Sequence, residues 1–212
     1  MGLAISVGML AELSDLDPEG VEFYRDYFVA VNDLLAKQGL PPHTEPETLP
    51  EMDNRCSLCS YPYSFLHYLR YAYAHRIADS KWVASPLPEG ANPAADPVVE
   101  EQTMQMRSHL LCHSDAEGFY LPIEFREVLF DESERIPGGM VGSSYRLLEE
   151  LAFVAPVLGI RLQGSSLPDE EAQAINDKVE RQEGLWIERI VWLSLFEAAR
   201  LSIKHKAAVC FA

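Results

Sequence analysis

Apolar residues open the chain as a continuous run, Gly2 to Leu10 (GLAISVGML), rich in β-branched side chains, which predicts a buried strand. The pattern then changes period. Asp17-Pro18-Glu19 has the form of a helix start, with Asp at the N-cap and Pro in the first turn. Val21, Tyr24, Phe28, Val31 and Leu35 follow at helical spacing, and Gly39 with Pro41-Pro42 ends the run. Residues 40–60 read as an extended, acidic, proline-punctuated segment. A second helix is expected from about Pro62 to Ala78. After it, Ser85 to Pro97 (SPLPEGANPAADP) reads as a flexible loop.

Further along, Met104–Cys112 and Gly118–Pro122 flank a polar turn and predict a hairpin, followed by a short helix at about Glu124–Phe130. A glycine-rich loop, Ile136 to Ser144, opens onto a helix through Leu147, Leu148, Leu151, Val154 and Leu158, with Ser143 as the expected N-cap and Gly159 as its stop. Pro168-Asp169-Glu170-Glu171 starts another helix. The last, about Leu185–Ile203, confines Arg189, Glu197, Arg200 and Lys204 to an arc of about 80° and is apolar nearly everywhere else, which predicts a core helix. Ala207–Phe211 (AAVCF) reads as a closing strand. The fold class expected is therefore α+β: a single domain over 1–212, mostly helical, on a small sheet of N-terminal, middle-hairpin and C-terminal strands.

Charge changes this picture. The 212 residues carry 33 Asp and Glu against 17 Lys and Arg, a formal net charge of −16. In residues 1–60 eleven carboxylates face three cations, and in 81–140 eleven face four. Residues 61–80 are the one slightly basic stretch. Such a balance excludes a protein that clasps phosphates with clustered Lys and Arg, so nucleic acid is not expected as a partner. No apolar run reaches the roughly 18 residues that span a bilayer, so no membrane partner is expected. Met1-Gly2-Leu3 runs on without a basic n-region, predicting no secretory signal and a cytoplasmic location.

Cys56, Cys59, Cys112 and Cys210 are then expected to be reduced. Cys56 and Cys59 with Cys112 and a histidine have the ligand types of a Cys3His zinc site, but a chain this apolar needs no metal to fold. No cofactor is expected.

The densest polar cluster is His109, His113, Ser114, Asp115 and Glu117. His113-Ser114-Asp115-Ala116-Glu117-Gly118 resembles the H-S-D-x-[D/E]-G segment of a bacterial protein family with no known activity. Members of that family begin Met-Gly-Leu and end in a short apolar strand, as this chain does. The resemblance implies no chemistry. Three readings of the cluster remain: a local turn, a divalent-metal site on His113, Asp115 and Glu117, or part of a binding surface. Five of the nine tyrosines fall between residues 61 and 73. Tyr61, Tyr68 and Tyr71 lie partly off the core stripe of their helix, where they can anchor a partner.

Two functions of different class follow. The first is an acidic, non-enzymatic binding protein, most concretely an immunity or antitoxin-type inhibitor of a basic bacterial toxin or effector domain. Its expected binding residues are Glu45, Glu47, Glu51, Asp53, Tyr61, Tyr68, Tyr71, His113, Asp115 and Glu117. The second is a metal-assisted hydrolase or small-molecule enzyme using His113, Asp115 and Glu117.

Overall fold

A computed structural model describes residues 2–14, 16–58, 60–88 and 90–211. Cys59, half of the CxxC, lies outside the described residues. The chain begins with β1 (Leu3–Val7) and a short helix α1 (Met9–Leu13). Next is α2 (Pro18–Lys37), which starts as its residues dictate: Asp17 accepts from the Gly20 amide at 3.0 Å and Pro18 occupies the first turn.

After an extended strap come β2 (Ser60–Tyr61) and α3 (Phe65–Ala78). Then α4 (Pro97–Met104) and the single turn α5 (His109–Cys112) lead to β3 (Gly118–Leu121), β4 (Leu129–Phe130) and β5 (Met140–Ser143). The chain finishes with α6 (Ser144–Val154), α7 (Asp169–Glu180), α8 (Trp186–His205) and β6 (Val209–Phe211).

Among the described residues the strands form one mixed sheet in the order β2-β1-β6-β3-β5-β4. The C-terminal strand lies at its centre, antiparallel to both β1 and β3, while β3 and β5 run parallel. Alternation along the strands divides the core in two. Leu3, Val7, Tyr120, Val209 and Phe211 pack with α3, α6, α7 and α8 on one face. Phe119, Leu121, Val141, Ala208 and Cys210 pack under Val21, Phe28, Val31, Leu34 and Leu35 of α2 on the other. The protein is thus an α+β domain with helices on both faces of the sheet. No helix among the described residues is long and apolar enough to cross a membrane.

Two local expectations change. The first arm of the middle hairpin is α5, not a strand. Ser108 Oγ accepts from the Leu111 amide, and the Glu150 carboxylate, brought in by α6, accepts from the amides of His109 and Leu110 at 2.9 and 2.7 Å. The expected helix at 124–130 is an irregular segment ending in β4. His109 Nε2 is hydrogen-bonded to the Arg126 carbonyl and Ser143 Oγ donates to that of Ile123. These ties hold the segment's carbonyls to other elements, away from a helical ladder.

Candidate protein-binding face

The outer side of α2 carries a stripe of carboxylates. At about 100° per residue, Glu19, Glu22, Asp26 and Asp33 fall within roughly 60° of arc, opposite the buried Val21–Phe28–Leu35 stripe. All four are exposed. At about 1.5 Å per residue the stripe runs roughly 21 Å.

Neighbouring elements widen it. Arg25 bridges Glu22 and, at 2.6 Å, Glu47 of the strap. Arg135 reaches Asp33 at 2.8 Å and so brings the 131–135 loop, with exposed Glu132 and Glu134, alongside the helix. Glu117 lies near Tyr27, whose phenol is raised by burial and by that carboxylate. A shallow depression of about 330 Å³ joins Tyr27, Glu117, Asp131, Glu134 and Arg135. In Asp131, desolvation acts upward but is outweighed by bonds from Ser133 and the amides of Arg135 and Ile136, which hold the carboxyl down to about 2. It is ionised at any physiological pH. Phe23 and Val29 of the same helix are exposed apolar side chains beside the acid row.

The residues nominated from sequence are dispersed by the fold. Glu47, Glu51, Asp53 and Glu117 stand at the surface. Glu45 does not: it is 7% exposed, accepts from the Ala208 amide at 2.8 Å and is bonded to the buried His43, so it pins the strap to β6. Tyr61 is a core residue of β2, while Tyr68 and Tyr71 are half-buried, the latter edge-on to Trp82.

His113 is buried, stacked on Tyr120 with centroids 4.2 Å apart, and its Nδ1 is bonded to the Ser114 carbonyl. Asp115 pairs with Arg70 and with His67. Arg70 in turn donates to the carbonyls of Leu110 and His113, organising the turn from below. Gly118, at φ +124°, provides the backbone that redirects the chain into β3.

His113, Asp115 and Glu117 therefore point to three different environments, which removes the basis of the metal-hydrolase reading. Among the described residues no three His, Cys, Asp or Glu side chains gather as metal ligands. Ser143 caps α6 through Arg146 N, and its hydroxyl donates to Ile123, while Ser143 N donates to His109 Nδ1.

Acids of α2 were not nominated individually from the sequence, although their charge was counted. The signal was present in the spacing 19, 22, 26, 33, complementary to the apolar stripe of the same helix. The loop acids Glu132 and Glu134 had no such periodicity.

Residues 1–211 match the model of a protein family described as "Putative DNA-mimic protein". The chain belongs to that family. Neither among curated proteins nor among solved structures does any protein match it. The family description is that of an acidic binding protein, in keeping with the surface just described. It also overturns the partner expected from the sequence. A family of DNA mimics points to DNA-binding proteins, which conflicts with the expectation of a basic toxin or effector domain and no part for nucleic acid. The negative charge excluded a protein that binds phosphates; it did not exclude one that imitates them.

Proposed function

We propose that the outer face of α2 stands in for a stretch of DNA backbone and occupies the groove of a DNA-binding protein. The observation that carries this reading is the exposed row Glu19, Glu22, Asp26 and Asp33 on one rigid helix, flanked by Glu47, Glu117, Glu132 and Glu134. Each strand of duplex DNA advances about 3.4 Å per phosphate along the axis, so a row of roughly 21 Å covers about six steps. A protein that reads DNA positions itself through Lys and Arg aimed at phosphate oxygens, contacts that are indifferent to sequence. Four carboxylates over that length, about 7 Å apart on average, match roughly every second phosphate and satisfy the same donors. Bound there, this protein excludes DNA by occupancy, and its excess charge steers it to the groove at long range.

The experiment starts from a partner captured from source cells on the immobilised protein and released by duplex DNA. The purified partner is loaded with a fluorescent duplex, and displacement by the wild-type chain is compared with that by the variant E19Q/D26N/D33N/E47Q. The wild type should displace the duplex with a potency that falls steeply between 0.1 and 1 M salt, as the screening length shortens from about 10 to 3 Å. Equal potency of the neutralised variant overturns the reading.

A further inference from the structure

The acidic face holds a feature that phosphate mimicry does not explain. Phe23 is 56% exposed on α2, one turn from Glu19 and less than one turn from Asp26. Its ring is not loose. It meets Tyr27 edge-on at 4.5 Å and Tyr24 at 6.1 Å, and both tyrosines stand against Phe119 at 6.2 and 6.4 Å. Phe119 is 1% exposed, in the centre of β3. Phe23 is thus the outer end of an aromatic column rooted in the sheet. Nothing in the fold needs a phenyl ring at its tip. Val29, 57% exposed, borders the acid row on its other flank.

We propose that Phe23 is an apolar anchor, and that the groove it enters has an apolar recess between its basic side chains and belongs to a DNA-binding protein that contacts bases. This rests on the DNA-mimic reading of the same face. The fit is argued from charge and shape together. Beside the phosphates and the shallow C–H edges of the sugars, the apolar groups of DNA that project far enough to need a recess come from its bases: thymine methyls in the major groove, or a ring that has left the stack. A protein that touches only the backbone needs no recess for either. A base-contacting protein has one, walled by the cations that hold the flanking phosphates, and Phe23 between Glu19 and Asp26 presents that combination. The division of labour follows. Carboxylates set the rate of encounter, while a preordered aromatic in a desolvated pocket sets the lifetime of the complex.

The test measures association and dissociation of the captured, DNA-released partner with four chains: wild type, F23A, F23L and E19Q/D26N. The F23A chain should melt with the wild type and associate within about two-fold of its rate, yet dissociate at least ten-fold faster, at low and high salt alike. F23L should recover most of the lifetime, and E19Q/D26N should lose association rate instead. An F23A complex as long-lived as the wild type overturns the anchor and leaves the mimicry standing. If no captured protein is released by DNA, or the released one ignores E19Q/D26N, the mimicry falls and the anchor with it.

Discussion

Two twenty-residue helices, α2 and α8, lie on opposite faces of the same sheet and use carboxylates in opposite ways. On α2, Glu19, Glu22, Asp26 and Asp33 are all exposed, and the cations near them are fewer than they are. On α8, Glu188 and Glu197 are 5% and 0% exposed. Burial pushes the Glu188 carboxyl up. Burial acts the same way on Glu197, but bonds from Arg55 and Arg200 outweigh it and hold that carboxyl down. Arg55 donates to Glu197 through its backbone N, Nε and a terminal nitrogen, then extends to the Leu167 carbonyl and Asp169, so Glu197 fastens the strap and the start of α7 to the core. The difference comes from covering. One side of α2 is left to solvent, whereas α8 is enclosed by α3, α6, α7 and the sheet. An acid faces solvent where its helix is the outermost layer and holds the fold together where it is not.

The largest difference between the two helices is expected at Glu197. Glu197→Gln leaves Arg55 and Arg200 without their counter-charge and should cost about 3 kcal/mol by denaturant unfolding. Glu22→Gln on α2, although it also removes an ion pair, should cost less than about 0.5 kcal/mol. Equal losses would show that exposure does not separate the two helices.

Acid titration sharpens the contrast further. His113 is held down to about 3 by burial, assisted by Arg70, against an ordinary value of 6.5. A lowered folded-state value means stability that is fully present above about pH 6.5 and declines as the pH falls toward 3. Glu150 works in the opposite sense: burial raises it from 4.5 to about 7, despite three hydrogen bonds from the α5 turn. Its contribution is present below about pH 4.5 and is lost as the pH rises to 7. His113→Phe, which keeps a ring against Tyr120 and Phe211, should therefore flatten the acid limb without abolishing it, because burial also lowers His67 and His109, and should make the opposing slope of Glu150 between pH 4.5 and 7 count for more. Unfolding curves at several pH values check this. No change of slope would place the titration elsewhere.

Smaller effects follow at the helix start and on the outer surface. Ser143→Ala removes both the α6 cap and the bond to the Ile123 carbonyl, and should cost about 1–2 kcal/mol by thermal melting. The variant E19Q/D26N/D33N/E47Q should shift stability by no more than about 1 kcal/mol, and upward if self-repulsion dominates, while abolishing duplex displacement. Collapse of the fold in that variant would mean that the acid row is structural.

Much of the architecture was legible because its signals are local. Asp17-Pro18 and Ser143 cap helices through hydrogen bonds that span three residues. The nearly all-apolar α8 and the closing apolar strand announce burial by composition alone. What failed was not local. The α5 turn was read as a strand because its amides are satisfied by Glu150, some forty residues away. The inward turn of Glu45 follows from the amide of Ala208, 163 residues away. A ligand role was one of three readings of His113 in sequence, and its burial depends on Tyr120 stacked on its ring and Phe211 packed beside it.

That this is an acidic α+β domain, that α2 is amphipathic and that its charge has no matching supply of cations can all be read from the chain alone. Helical periodicity and net charge are properties of the chain, and no partner element is needed to establish them. Only the folded chain reveals which carboxylates stand on the exposed acidic face. Glu45, Glu47 and Glu51 are alike in sequence context, yet one is buried under β6 and one is drawn against α2 by Arg25. The direction of a side chain in an irregular segment is set by whichever distant donor or apolar wall it meets, and periodicity says nothing where the backbone has no period.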